Sequence, residues 1–204
     1  MISTVTSRGD KRPRLVTAAS AVFAEKGYAS TRVADIAERA GVGKGTVYEY
    51  FSSKEELLFA VFESINEEIS TRVSETLSMD GSARKKLLAL LRLGAEVVSE
   101  QAELQPVILD FWAASRGKDF EEQYHEAVVA SYGLFRSMIS NFIRDGQKRG
   151  ELKADVDAEA LATMVVATVD GLGVQLFFDR SIDTDRVTGA FADLLAECLT
   201  MESS

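Results

Sequence analysis

Residues 31–51, TRVADIAERAGVGKGTVYEYF, decide how the chain folds. Apolar residues recur at i, i+3, i+4 and i+7 from Val33, which predicts a helix of about three turns with one buried face. Gly41 can take the left-handed conformation that ends a helix. A second helix is predicted from Lys44, with Val47 on its buried side. Two short helices joined by a tight, glycine-containing turn predict a helix-turn-helix.

The second helix carries the groups that contact DNA in a major groove. Side chains on such a helix read base edges, while hydroxyls, cations and backbone N–H groups hold the phosphates. Gly45 costs a helix about 1 kcal/mol relative to alanine, so its presence indicates that the backbone lies close to another surface, with DNA the obvious candidate. Thr31 is the expected N-cap of the first helix. The predicted DNA-binding residues are Thr31, Arg32, Lys44, Gly45, Thr46, Tyr48, Tyr50 and Lys54.

The residues alone leave a purely structural role open. Helix pairs with glycine turns also occur in enzymes and in helical bundles that never meet nucleic acid. A basic cluster upstream of the motif allows two interpretations as well, because it could touch phosphates or could simply be a solvated helix start. This cluster consists of Arg8, Lys11, Arg12 and Arg14.

Residues from about 10 to 58 closely resemble the N-terminal domain of the TetR (tetracycline repressor) family of bacterial transcriptional regulators. That family has F-x-x-x-G-[FY], then T-[TS]-x-x-x-I-A-x-x-A-G-V-[ST]-x-G-[TS]-[LV]-Y-x-[YH]-F, then K-x-x-L. The matching residues here are Phe23, Gly27, Tyr28, Ser30, Thr31, Ile36, Ala37, Ala40, Gly41, Val42, Gly45, Thr46, Val47, Tyr48, Tyr50, Phe51, Lys54 and Leu57. Gly43 departs from the pattern, which commonly has a serine or threonine there to cap the second helix.

The distribution of charge agrees with a DNA-binding head on an acidic body. The 204 residues carry a net charge of −9, but residues 1–56 hold nine Lys and Arg against seven Asp and Glu, a net of +2. A weakly basic head on an acidic remainder orients a protein on a polyanion. The single cysteine, Cys198, fits a reducing cytoplasm and is expected to be a buried structural thiol. No membrane span and no signal peptide are predicted, so a cytoplasmic location is expected.

The pattern of the whole chain predicts an all-α protein of about nine helices. Helical periodicity runs through long stretches without strand-like alternation, and there are only two prolines. Residues 1–53 are predicted to form an N-terminal arm and the helix-turn-helix DNA-binding domain, with the motif at about 32–51. Residues 54–78 form a connecting helix, and residues 79–204 a larger C-terminal domain for effector binding and dimerisation.

The last two predicted helices are too apolar for exposed surface helices, which favours a four-helix interface with a second copy over ordinary core. The resemblance implies the same, since family members dimerise through their last two long helices. A two-fold dimer would place two reading helices about 34–36 Å apart on a palindromic operator. The predicted dimer residues are Met164, Thr168, Leu172, Gln175, Leu176, Phe191 and Leu195.

The resemblance also implies a small-molecule pocket among the middle helices. Apolar walls with a few polar groups suit such a site, although an aromatic stripe is more often plain core. The candidate pocket residues are Phe111, Trp112, Tyr124, Tyr132, Phe135 and Met138. Asp110 or Asp170, if buried, could face a cationic ligand, and His125 is expected to be a solvated surface residue.

Enzymatic chemistry finds little support. A single histidine, no clustered metal ligands and no phosphate-binding glycine loop give no catalytic residues, no metal site and no cofactor. The sequence therefore predicts a homodimeric, TetR-like repressor that binds double-stranded operator DNA and is released by a small-molecule effector. A ligand-independent DNA-organising protein, or an all-α enzyme or adaptor with a structural helix pair, is the alternative.

Overall fold

The computed structural model describes residues 8–114 and 121–199. These ranges contain nine α-helices and no strand, so the predicted all-α class and helix count are confirmed. Residues 1–7 of the predicted N-terminal arm lie outside the described residues. The helices are α1 (Arg8–Lys26), α2 (Val33–Arg39), α3 (Lys44–Tyr48), α4 (Lys54–Ser78), α5 (Ala83–Glu100), α6 (Gln105–Ala114), α7 (Glu121–Lys148), α8 (Ala158–Phe178) and α9 (Thr184–Leu199).

By packing, the chain divides into two compact units. Unit 1 comprises Met1–Asn66 and Glu103–His125, and unit 2 comprises Glu67–Ala102 and Glu126–Ser204. Helices α4 and α7 therefore contribute residues to both units. The predicted division into a DNA-binding domain, a connecting helix and an effector domain concerns function rather than packing, and it stays a prediction.

Unit 1 has a core of aliphatic residues continued by an aromatic cluster. Leu15, Ile36 and Val47, from the first three helices, are each no more than 1% exposed. The rings of Phe62 and Phe111 stack with their centroids 3.8 Å apart and their planes 4° from parallel. Burial of such large apolar side chains is the main contribution to the stability of this unit.

Unit 2 is built around α5, which packs along α9 and α8. Its larger core cluster joins α5 to α7, α8 and α9, with Leu87 and Ile143 each 1% exposed. Gly94 permits the close approach of α8, because an added Cβ would lie 2.9 Å from a Val169 methyl group. A smaller cluster is formed by Val98, Ala102, Leu172 and Leu176.

The helix ends agree with the turn chemistry of the sequence. Gly27 and Gly41 have φ of 73° and 67°, the left-handed conformation that ends α1 and α2. The Asp157 carboxylate accepts from the backbone N–H groups of Glu159 and Ala160 and so caps α8.

Candidate nucleic-acid interface

Helix α3 is anchored through one side only. Val47 is 0% exposed and Phe51, just beyond the helix, is 1% exposed. On the other side Lys44 and Gly45 are exposed, and the Tyr48 ring is 49% exposed. A helix of five residues has little intrinsic stability, so its buried contacts hold it in place. The outer side of α3 is exposed to solvent.

Two arginines of α1 contact residues of the helix-turn-helix. The Arg14 guanidinium donates to the Ala40 carbonyl oxygen at 3.0 Å, at the C-terminal end of α2. The Arg12 guanidinium lies 5.2 Å from the centroid of the Phe51 ring, a cation–π contact at the end of α3. Both side chains therefore have partners within the protein. This structural role is a third interpretation of the basic cluster, beside a contact with phosphates and a solvated helix start.

The start of α2 corrects one prediction. Arg32, not Thr31, is the N-cap, and its backbone N–H donates to a carboxylate oxygen of Asp35 at 2.9 Å. This N–H, together with the Lys26 ammonium, holds the pKa of Asp35 below its usual value. Thr31 is 2% exposed and its hydroxyl donates to the Gly27 carbonyl oxygen at 2.8 Å. The expected N-cap role of Thr31 is wrong, because α2 begins one residue later and the Thr31 hydroxyl points to the carbonyl oxygen of the residue that follows α1.

Lys54 also faces the protein. Its ammonium donates to the carbonyl oxygens of Tyr28 at 2.8 Å and Thr31 at 3.1 Å, and lies 4.2 Å from the Tyr28 ring centroid. These contacts tie the start of α4 to the turn between α1 and α2. Two of the three N–H donors of Lys54 are thereby occupied.

The remaining predicted DNA contacts lie on or beside α3 and at the start of α2. Lys44 is exposed, with its ammonium 5.7 Å from the Tyr48 ring centroid. Thr46 and Tyr50 are half-buried on the flanks of the helix, and Arg32 is exposed. A Cβ added to Gly45 would meet no heavy atom within 4 Å, and its φ is not positive. No neighbour among the described residues therefore requires a glycine at position 45.

Sequence reasoning missed Glu49, the C-cap residue of α3, which is exposed. Its position four residues after Gly45 was the available signal, because residues four apart share one helical face.

Sequence reasoning also missed the contact of α6 with the head. The backbone N–H of Tyr28 donates to a carboxylate oxygen of Asp110 at 3.0 Å, across 82 residues of sequence. The Tyr28 hydroxyl donates to the Glu55 carboxylate at 2.9 Å, and the Tyr124 hydroxyl donates to the Glu55 carbonyl oxygen at 2.5 Å. Helices α6 and α7 thus contribute directly to the packing of unit 1.

Both tyrosines of this network ionise with difficulty. Burial, followed by the hydrogen bond to the Glu55 carboxylate, raises the pKa of Tyr28 above its usual range. Burial, followed by the negative charges of Glu55 and Glu56, raises the pKa of Tyr124 to about 12. Their hydroxyls therefore remain proton donors at any physiological pH.

Both ends of the chain match known regulators. Residues 15–61 match the family described as bacterial regulatory proteins, tetR family, and residues 83–200 match the C-terminal region of BetI-type transcriptional repressors. The chain belongs to the TetR family. It is a DNA-binding transcriptional regulator, which confirms the function predicted from the helix-turn-helix, and its family is one of regulators rather than of enzymes.

Similar proteins agree in length and fold. The transcriptional activator FasR of Mycolicibacterium smegmatis is 32% identical over 181 residues, which cover 87% of this chain and 78% of FasR. A structure from Saccharomonospora viridis in complex with choline is 26% identical with a TM-score of 0.79, covering 96% of this chain and 100% of that one. FadR from Bacillus subtilis in complex with stearoyl-CoA is 23% identical with a TM-score of 0.75, covering 91% and 98%, and shows the fold alone.

The candidate pocket residues of this TetR-family chain fall into two groups. Phe111, Trp112 and Tyr124 belong to unit 1, where the Phe111 and Tyr124 rings stack with centroids 4.9 Å apart. Tyr132, Phe135 and Met138 belong to unit 2, and each is half-buried. Met138 also lines an open groove of about 320 Å³, whose other walls include Leu77, Phe142, Lys86 and Arg149.

Tyr132 and Asp170 form a polar pair within unit 2. Both residues are half-buried, and burial raises the pKa of both groups above their usual values. No salt bridge to Asp170 is found among residues 8–114 and 121–199. A carboxylate withdrawn from water is costly unless a cation or several donors meet it. Asp110, the other aspartate considered for a ligand, instead accepts from Tyr28.

The structure separates the seven predicted dimer residues. Met164 is 61% exposed and Gln175 is exposed, while Thr168, Phe191 and Leu195 are half-buried. Leu172 and Leu176 are 6% and 7% exposed because they pack on α5 within the same chain. These two leucines are therefore not available to a partner. The exposed row on α8 is formed by Met164, Ala167, Gln175 and Phe178, and on α9 by Val187, Ala190 and Leu194.

The prediction that the chain contains no membrane span did not take account of helix α8. By length and composition alone it is apolar enough to cross a membrane, which the sequence reasoning did not recognise. Only 28% of its 18-residue apolar window is buried inside the single chain. One such helix is weak evidence for a span, and an apolar helix only partly covered by its own chain is equally what a subunit interface produces.

The remaining singled-out residues are simple to place. Cys198 is exposed on α9, so the expectation of a buried thiol is wrong. His125 is exposed, as expected. Within the described residues no group of three His, Cys, Asp or Glu side chains is placed to hold a metal ion.

Proposed function

We propose that this TetR-family regulator reads a palindromic operator through α3 and acts as a ligand-responsive repressor in the cytoplasm. The observation that carries the proposal is the one-sided anchoring of α3, with Val47 buried and Gly45 and Tyr48 outward. Because no neighbouring atom accounts for the glycine, the close approach of an external surface is the remaining physical reason for it.

The proposed DNA contacts are a subset of the residues predicted from sequence. Lys44 would meet a phosphate or a guanine edge, and the Tyr48 hydroxyl a phosphate. Arg32, Gly45, Thr46 and Tyr50 complete the set. Thr31 and Lys54 are left out, because their polar groups already have partners inside unit 1.

Enrichment of random DNA fragments on the protein tests this proposal. A palindromic motif is expected, and Lys44→Ala and Tyr48→Phe should each weaken binding of that motif by about 1–3 kcal/mol without changing the circular dichroism spectrum. Bound DNA without any motif would favour the ligand-independent DNA-organising protein. Unchanged affinity in both variants would refute the assignment of α3.

The proposed homodimer is supported by the exposed apolar surface of the last two helices. Four of the seven large apolar side chains exposed in the described residues lie on α8 and α9, namely Met164, Phe178, Val187 and Leu194. Met164 and Phe178 lie fourteen residues apart on α8, and Val187 and Leu194 lie seven apart on α9, so each pair shares one face of its helix. Sedimentation equilibrium should give a dimer, and Met164→Asp should give a monomer with unchanged helix content. A monomeric wild-type protein would refute the dimer.

The effector is proposed to be a small molecule that binds the helical body. Asp170 and Tyr132 support a ligand with a positively charged group, since such a ligand would give the half-buried carboxylate the ionic partner that the described residues do not provide. Choline and stearoyl-CoA, which two similar structures contain, represent a cationic and an anionic class. Thermal shift assays with both compounds discriminate them, because a ligand at 100 times its dissociation constant adds about 2.7 kcal/mol of stability.

A further inference from the structure

Gly45 and Glu49 form the outermost face of α3. Residues two positions from Val47 on either side are rotated by about 200° around the helix axis, so both point away from the core that buries Val47. The backbone N–H of Glu49 donates to the Gly45 carbonyl oxygen at 3.1 Å, which places Glu49 one helical turn beyond Gly45. The face that would enter a groove first therefore carries one glycine and one carboxylate.

The Glu49 carboxylate has no hydrogen bond or ion pair within the described part of the chain, which distinguishes it from most acidic groups of the head. The engaged acidic side chains pair with Arg39, Lys26, Tyr28 and Ser52. These are Glu25, Asp35, Glu55 and Glu56. Glu49 is thus free to interact with whatever meets the outer face of α3.

A carboxylate in this position can be matched by few groups of DNA. Phosphates repel it, and the N7 and O6 atoms of guanine and the O4 atom of thymine are acceptors that repel it as well. Cytosine offers its N4 amino group with no acceptor on the adjoining ring edge. Adenine offers N6 as well, but its N7 acceptor stands beside it.

We infer that Glu49 is a specificity-determining residue that requires a cytosine opposite the C-terminal end of α3 in each half-site. Its carboxylate accepts from the cytosine N4 amino group and rejects the other three bases by repulsion between acceptors. Gly45, without a side chain on the same face, lets the helix approach closely enough for a side chain of this length to reach the base edge. The inference rests on the proposed role of α3 and adds the base that it reads.

The test compares wild type, Glu49→Ala and Glu49→Gln by selection from random DNA, followed by titration of the selected site and its single-base variants. In the wild type, replacing the critical C·G pair should weaken binding on the order of 5- to 150-fold. Glu49→Ala should lose the preference at that position alone and keep it elsewhere. Glu49→Gln should move it to A·T, because an amide can pair with both N6 and N7 of adenine.

Glu38→Ala is the matched control, because Glu38 is exposed on α2 and its carboxylate has no partner within the described residues. If Glu49→Ala and Glu38→Ala both bind every sequence more tightly by a similar factor, with no change in base preference, Glu49 is only a solvated negative charge and the inference is overturned. A wild-type protein without any motif would instead refute the proposed function itself. Thermal unfolding of each variant excludes loss of fold as the cause.

Discussion

Replacing Gly45 with alanine should stabilise the protein and weaken its binding to DNA. The stability term can be worked from the structure, because the three usual complications are absent. The residue is exposed, its φ is not positive, and an added Cβ meets no heavy atom within 4 Å. Only the backbone entropy of glycine remains, which is worth about 0.5–1 kcal/mol in a helix. For a chain of this size that corresponds to a rise in melting temperature of about 1–4 °C.

The DNA term has the opposite sign. If a base edge or a phosphate lies against the Gly45 backbone, a methyl group must displace it, and overpacking of a close contact costs about 1–3 kcal/mol. We therefore expect operator affinity to fall on the order of 5- to 150-fold while the urea midpoint rises. Affinity is measured by fluorescence anisotropy at fixed salt, because phosphate contacts make it depend on salt.

Gly133→Ala provides the control for this experiment. Gly133 lies within α7, and a Cβ there also meets no heavy atom within 4 Å. This variant should gain a similar stability and keep the operator affinity of the wild type. If Gly45→Ala gains stability and binds the operator as tightly as Gly133→Ala, no DNA surface lies against Gly45 and the argument from that glycine is refuted.

Three further predictions concern a cap, a hydrogen bond and a half-buried carboxylate. Gly43→Ser should stabilise the protein by about 0.5–1 kcal/mol in urea unfolding, because Gly43 is an N-cap with an extended backbone and open space around it. Gly41→Ser should instead destabilise it by about 1–2 kcal/mol, because Gly41 has a φ of 67°. Asp110→Ala should accelerate amide hydrogen exchange at Tyr28 about tenfold by removing its acceptor, and Asp110→Asn, which keeps an acceptor oxygen, should do so less. Asp170 has a raised pKa in the folded chain. Its contribution to stability is therefore present below the usual carboxyl pKa and is lost as pH rises through the pKa of the folded state. Between pH 3 and pH 7, the free energy of unfolding of Asp170→Asn should fall less with pH than that of the wild type.

Local chemistry was predictable from the sequence because it depends on neighbours in the chain. The left-handed glycines at 27 and 41 and the Asp157 cap follow from residues a few positions apart. The error at Thr31 has the same local origin. A short hydroxyl side chain can cap the following helix or bond back to the preceding one, and the choice depends on where the Gly27 carbonyl points.

Which side of α8 is exposed was only partly predictable, because α8 is apolar on most of its circumference. A helix with one apolar stripe reveals its buried face, but a helix that is apolar nearly all round does not. Leu172 and Leu176 were therefore assigned to a partner although they pack on α5, while Phe178, 79% exposed, was overlooked. Only the packing of the other helices shows which row of α8 remains uncovered.

The position of α6 indicates that a small structural change caused by an effector would be enough to affect the DNA-binding head. Asp110 lies within residues 83–200, the segment that matches repressor C-terminal regions, yet it holds the backbone of Tyr28 in the head. A hydrogen bond to a charged group contributes about 1.5–3 kcal/mol, and the coupling free energies of allosteric proteins are typically about 1–3 kcal/mol, or 5–150-fold in affinity. The free energy lost by breaking this one hydrogen bond is therefore comparable to the coupling free energy of a typical allosteric response. An effector that displaced α6 far enough to separate Asp110 from Tyr28 would loosen the turn that leads into α2, without any need to reorient the head as a whole.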